Sequence, residues 1–335
     1  MTSTETNRWQ RLVSLLTVGV VVVLVACSDG EKKVTIGLIT KQEANPYWVT
    51  LREVAEDTAE DNAVNLLTAT GSSDVDFASQ QTALQDMVAE GAQGILIAPT
   101  NSTALVPAIE AARNKGVVVI AVDTHVEPVD AVDAYYATDN EAAGRLVGEY
   151  AAAKAAELGL EPKIAMLDLA PGISSGEQRH EGFLAGFGIE QTDPALVAMA
   201  DTEGNRELGE ARMAEILAKH PDVNVVYTVN EPAALGALAA LKAAKVNLRK
   251  TILVSVDGGC QAIKNAVRPG DIDATAMQFP ENMAREGVLA LAKAARGGEP
   301  PSGYLNTGVE LITGDPAPSV EAKNVAYGVR NCWGD

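Results

Sequence analysis

The side chains of Asn45, Tyr47, Trp48, Asp123, Arg179, Asn230, Asp257 and Gln278 combine the groups needed to hold a small polyhydroxylated molecule. Carboxylates, carboxamides and a guanidinium are planar groups with several hydrogen-bonding positions, suited to neighbouring hydroxyls. Tyr47 and Trp48 offer flat faces to the apolar C–H face of a sugar ring. Aromatics make up only 4% of the chain, so an adjacent pair beside polar residues carries weight. A phosphorylated ligand would want several cations, and Arg179 alone stands out. Each residue also has a plainer reading. Asn45-Pro46 fits a helix cap followed by proline at the first helical position. Tyr47 and Trp48 fit the core of that helix, Asp123 and Asp257 fit turn caps, and Arg179 fits the surface of a helix over 175–188.

What unites these residues is their place in the chain. Short apolar runs at 34–40, 64–69, 94–98 and 117–122 alternate with helix-like stretches at 46–61, 75–90 and 102–115. A second series follows, with strands at 163–168, 196–200, 224–229, 251–256 and 272–277, and helices at 141–158, 206–219 and 232–244. A helix at 281–296 and a final strand and turn at 303–313 close the chain. Apolar runs without polar alternation, separated by amphipathic helices, predict parallel strands covered on both faces. Right-handed βαβ winding then gives an α/β protein of two doubly wound parallel-sheet domains. Ligands of such sheets bind beyond the carboxyl ends of the strands, where the candidate residues fall.

The overall composition excludes several classes. A formal net charge of −19 opposes nucleic-acid binding, which needs Lys and Arg against phosphates. Neither GxxxxGK[ST] nor GxGxxG occurs, and no Cys/His cluster offers a metal site, so neither a cofactor nor a metal is expected. Asp123 and Asp257 could nominally form a glycosidase pair. His125, His180 and His220 offer no Ser-His-Asp set, and an enzyme is not expected.

The N-terminus reads as an export signal. Arg8 and Arg11 precede an apolar run from Leu12 to Ala26, too short to span a membrane. The run ends in Leu24-Val25-Ala26-Cys27, which resembles a bacterial lipobox, with Cys27 lipidated. This predicts an exported membrane lipoprotein facing away from the cytoplasm, tethered only by its lipid. Cys260 and Cys332 remain, an even pair in an oxidising compartment: a disulfide or two buried thiols.

The order and spacing from Val34 onward resemble the ribose-type sugar receptors of bacterial ABC importers, periplasmic binding proteins of type 1. The marks are N-P-Y-W at 45–48, V-I-A-V-D at 119–123, A-T-D-N at 137–140, Q-R-H-E-G-F at 178–183, V-V-Y-T-V-N-E at 225–231, V-S-V-D-G-G at 254–259 and A-M-Q-F-P at 276–280. Within that family the chain is most similar to fructose-binding receptors, through E-P-A-A-L-G after Asn230, D-G-G-C, and the terminal N-C-W-G. The resemblance implies that Asn45 and Asp123 hold sugar hydroxyls while Tyr47 and Trp48 stack on the ring. Arg179, Asn230, Asp257 and Gln278 complete the shell from the second domain and the hinge. It also implies a cleft between domains joined by three hinge strands, near Thr138-Asp139, Gln278-Phe279 and Leu311–Thr313. The expected division is a signal and lipobox at 1–27, a leader at 28–33, one subdomain at 34–138 plus 279–311, and another at 139–278 plus 312–335. The ribose-type pattern places an aromatic near Gly204-Asn205, and none stands there. The implied function is a monomeric substrate-binding lipoprotein that delivers a monosaccharide, fructose favoured, to ABC permease and ATPase subunits. A sensory receptor for a sugar or furanosyl signal is the alternative, followed by ribose or cyclitol import. Repressors sharing this fold carry a DNA-binding segment where this chain carries its export signal.

Overall fold

Residues too apolar to face water on either side build the centre of each half. Gly94–Ile97 and Val118–Val122 are almost wholly buried, and their side chains alternate between two cores. Ile120 and Val122 join Leu38 and Trp48 on one face, while Val119 and Ala121 join Ile39 and Ile97 on the other. The computed structural model describes residues 33–317 and 319–334. The expectations for the signal segment and Cys27 lie outside the described residues. Among the described residues no helix is long and apolar enough to cross a membrane.

The first sheet has the spatial order Gly303–Asn306, Ala134–Ala137, Val118–Val122, Gly94–Ile97, Thr35–Thr40, Asn65–Thr70, all parallel. The second runs Lys323–Asn324, Val309–Thr313, Ala274–Gln278, Ile252–Asp257, Val225–Thr228, Ile164–Asp168, Leu196–Asp201. It is parallel except where Val309–Thr313 pairs antiparallel with Ala274–Gln278. Helices cover both faces of each sheet, as expected for doubly wound α/β lobes.

The chain passes between the sheets at Thr138-Asp139, at Phe279 and at Thr307-Gly308. The last crossing corrects the expectation at Leu311–Thr313. The stretch read as one strand and turn is two strands in different sheets, with Gly308 at φ +97° between them. Leu311 belongs to the second lobe's core, so 309–311 cannot stay with the first. The tail stays with its expected lobe through Cys332 and departs from it at Trp333, which is buried in the first lobe's core.

One packing contact matters for the site. Helices Asn140–Glu157 and Ser174–Phe187 meet through glycines: Gly144 and Gly148 lie on the backbone of Arg179 and Phe183, and Gly182 and Gly186 on that of Glu141 and Arg145. A Cβ at any of these would collide with backbone. This close approach fixes the helix that carries Arg179.

Candidate functional site

Where the carboxyl ends of the two sheets face one another, Asn45, Tyr47, Trp48, Asp123, Arg179, Asn230, Asp257 and Gln278 all line one small, tightly closed cavity. Several of their plainer roles are met at the same time. The Asn45 side chain caps helix Pro46–Asp61, accepting the Tyr47 N–H at 3.0 Å, and Asn230 caps helix Glu231–Ala243, accepting the Ala233 N–H at 3.0 Å. Tyr47 and Trp48 belong to the core as well as the cavity wall. Among the described residues the buried indole N–H of Trp48 has no hydrogen-bond partner. Arg179 is not a surface residue; it is 4% exposed.

Two aspartates anchor the polar part, one from each lobe. Asp123 follows Val118–Val122 at φ +62°, and Asp257 ends Ile252–Asp257 at φ +107°. Left-handed backbone is costly for a residue with a side chain and persists where the surroundings enforce it. Asp123 Oδ1 accepts from Arg179 Nη2 at 3.2 Å and the Tyr47 hydroxyl at 3.4 Å, and its Oδ2 accepts from Thr124 at 2.8 Å. Asp257 Oδ1 accepts from Gln278 Nε2 at 2.8 Å, and its Oδ2 accepts the Glu231 N–H at 3.1 Å. Arg179 joins them: it donates to Asn140 Oδ1 at 2.8 Å, the Val229 carbonyl at 3.1 Å and Gln278 Oε1 at 3.1 Å, and lies 3.7 Å from Asp257. Burial raises the Asp257 carboxyl above its usual range, with Arg179 opposing the shift. Burial pulls the Arg179 guanidinium down, but Asp123 and Asp257 together raise it above its ordinary value.

Lys41, Asp74, Leu169 and Ser175 also line the cavity and were not among the candidates. Lys41 is 1% exposed, donates to Thr124 Oγ1 at 2.9 Å and sits 3.6 Å from Asp123. It is a second buried cation where the sequence offered only Arg179. Asp74 accepts from Gln42 at 2.9 Å, and burial raises its carboxyl above the usual range. The signal for these residues was present, since Lys41 follows Thr35–Thr40, Asp74 lies in the loop after Asn65–Thr70, and Leu169 follows Ile164–Asp168. The strand-end rule reaches them once it is applied to every strand.

Where the ribose-type pattern places a second-lobe aromatic, the space is tight. Gly204 has φ +63°, and a Cβ there would lie 2.7 Å from Asn230 Nδ2, 2.9 Å from Leu169 Cδ2 and 3.0 Å from Asp74 Oδ2. A ring starting from that point would have to displace these three side-chain ends. Across the cleft the lobes touch: Ser102 N–H donates to the Gly172 carbonyl at 2.9 Å, Ser174 Oγ to the His125 carbonyl at 3.0 Å, and the Thr124 and Ser175 hydroxyls pair at 2.8 Å. This is a closed arrangement, and anything in the cavity enters or leaves by separation of the lobes. Cys260 and Cys332 are joined in a disulfide, with Cα atoms 4.8 Å apart.

Two α/β lobes closed over a small polar cavity with an aromatic wall define a clamshell receptor for a small polyhydroxylated ligand. Residues 36–299 match the periplasmic binding protein domain, and the chain belongs to that family. It is 30% identical over 285 residues to the ribose import binding protein of Haemophilus influenzae, a match covering 85% of this chain and 94% of that one. It is 29% identical over 313 residues to the D-ribose/D-allose-binding protein of Pseudomonas aeruginosa, covering 87% and 96%. Among solved structures, a carbohydrate transporter solute binding protein from Agrobacterium radiobacter in complex with D-arabinose superposes with TM-score 0.76 at 25% identity, covering 84% of this chain and 95% of that chain. The protein is therefore an exported sugar-binding component of an ABC importer, of the ribose-binding type, and not an enzyme.

Proposed function

We propose that this chain captures one monosaccharide, fructose first among the sugars to be tested, by closing its lobes on it and delivers it to ABC permease and ATPase subunits. The observation that carries the reading is the mesh of Asp123, Arg179, Asp257 and Gln278, which joins both lobes at one cavity. Sugar contacting both halves favours the closed form by its differential affinity for it. In this reading Asn45 and Asp123 hold hydroxyls from the first lobe and Tyr47 and Trp48 stack on the ring. Arg179, Asn230, Asp257 and Gln278 complete the shell. The receptor acts as a monomer, tethered by lipid on Cys27.

The preference for fructose rests on the segments that resemble fructose-binding receptors, which converge behind the cavity. Glu231 of E-P-A-A-L-G accepts the Gly259 N–H of D-G-G-C at 2.6 Å, and Cys260 is bridged to Cys332 of N-C-W-G. The names of the relatives make ribose, allose and arabinose the competing ligands.

A thermal-shift panel of fructose, ribose, allose and arabinose tests this. A sugar at 100 times its Kd stabilises the native state by about 2.7 kcal/mol. Fructose is expected to give the largest shift; a larger shift from ribose or allose moves the assignment to that sugar, and no shift from any removes the monosaccharide reading. Asp123→Asn keeps a side chain that tolerates left-handed backbone and removes the charge. It is expected to weaken binding about 10- to 100-fold, the range for one charged hydrogen bond.

A further inference from the structure

The end of the chain ties the two lobes together by a route separate from the three crossings described above. Helix Val325–Asn331 packs on the second lobe, where Tyr327 and Val329 lie against Ile263, Met277 and Ile312. Cys332 is then bonded to Cys260 in the same lobe. The next residue leaves it. Trp333 is 4% exposed within the first lobe's core, edge-on to the Tyr47 ring with centroids 5.3 Å apart. Its Nε1 donates to the Gln278 carbonyl at 2.9 Å, at the hinge, and its own carbonyl accepts the Cys260 N–H at 2.8 Å. Beyond it, Gly334 lies against Pro46, at the start of the helix that carries Tyr47 and Trp48.

The anchoring end is equally defined. Glu231 accepts the Gly259 and Ala262 N–H groups at 2.6 and 2.9 Å, holding the turn that follows Asp257. At Gly259 a Cβ would fall 2.6 Å from Glu231 Oε2 and 3.0 Å from the Trp333 ring, so carboxylate, turn and indole share one tightly filled space. A covalent bond ties this segment one residue before the indole.

We propose that Trp333 is a positioning residue for the sugar, held against Tyr47 and Gln278 by a strap whose anchor is the Cys260–Cys332 disulfide. The inference rests on the monosaccharide reading of the cavity. Trp333 backs the aromatic wall and fixes the backbone of Gln278 without lining the cavity itself, so its effect passes through those two residues. Opening the disulfide by a dithiol frees the strap: the reductant is oxidised to its own disulfide, and Cys260 and Cys332 each gain a hydrogen.

The test compares binding of the best sugar of the panel, by calorimetric titration of the full chain, across several forms. These are oxidised, dithiol-reduced, C260S/C332S, Trp333→Ala and Trp333→Phe proteins, each shown to be folded at the working temperature by circular dichroism. The reduced form, C260S/C332S and Trp333→Ala are expected to bind about tenfold more weakly, with Trp333→Phe recovering most of the loss. A bridge or indole that serves stability alone lowers the melting temperature and leaves the affinity unchanged, and that result overturns the proposal. A second readout needs no ligand. In the W9F/W48F chain the only tryptophan is Trp333, and its emission is expected to shift to the red on reduction. Unchanged emission after verified reduction also overturns the strap. If no sugar binds the wild-type chain while the emission does shift, the sugar reading fails and the anchoring of Trp333 stands.

Discussion

The two walls of the cavity are built differently. The first lobe supplies the rings of Tyr47 and Trp48, backed by Trp333, because helix Pro46–Asp61 begins at the cavity and turns its first residues inward. The second supplies Arg179, Asn230, Asp257, Leu169 and Ser175, with no ring among them. Yet both present an aspartate at positive φ just where a parallel strand ends. The shared feature is the polar anchor, and the aromatic wall is particular to one side. In the proposed reading, recognition divides into a flat surface that accepts the C–H face of a ring and a polar surface that orients its hydroxyls.

The polar anchors depend on Arg179, and its removal is the strongest way to break the pairing of the walls. Arg179→Met leaves Asp123 and Asp257 facing one another across the closed cleft. Removing one partner of a buried charge network costs about 3–5 kcal/mol. Sugar affinity is expected to fall by more than 100-fold in calorimetric titration; a loss below tenfold would show that the closed form does not need the guanidinium.

A smaller effect probes the side without a ring. Gly204→Phe asks for an aromatic where Asn230, Leu169 and Asp74 already close the space, and at a φ that costs about 1–2 kcal/mol for a residue with a Cβ. It is expected to weaken binding about tenfold and to lower the melting temperature. Adding Leu169→Ala should recover part of the loss by clearing one of the neighbours. No recovery would place the obstruction at Asn230 or Asp74.

Much of this arrangement is legible in the sequence, because strands buried on both faces are apolar throughout and stop abruptly at polar residues. Helices Pro46–Asp61 and Arg206–Lys219 fall where their spacing predicts, since proline at the first turn or an asparagine cap marks the start of each. Strand Ala134–Ala137 escapes notice because it is four residues long and mixes alanine with two tyrosines. The crossing at Thr307-Gly308 was misplaced because apolar residues continue on both sides of it, and hydropathy does not say which sheet a strand joins. Lys41 and Asp74 are charged residues whose burial depends on groups far away in the chain, Thr124, Asp123 and Gln42. Trp333 was marked by the N-C-W-G likeness, but its place against Tyr47 follows from a tertiary path that no local pattern encodes.

The smallest expected effect concerns pH, and it separates the turn after Asp257 from the rest of the second lobe. Burial, reinforced by Asp257, raises the Glu231 carboxyl to about 7 despite its two backbone donors, and burial raises Asp273 to about 7. Between the ordinary carboxylate range and about 7, the folded protein therefore holds protons that the unfolded chain has released. Stability is then greatest below that window and falls as pH rises through it. His180 acts in the same direction: burial lowers its pKa, but Asp168 and Gln191 raise it further, so its contribution is also lost as pH rises. The melting temperature is expected to be a few degrees higher at pH 5 than at pH 7.5, as about 1–2 kcal/mol implies for a protein of this size. Glu231→Gln removes one of these groups and leaves Asp273 in place, so the difference should shrink without vanishing. An unchanged difference would mean that Glu231 is ionised throughout, with the Gly259 and Ala262 N–H groups outweighing its burial. The turn that anchors Trp333 would then be held by a full negative charge.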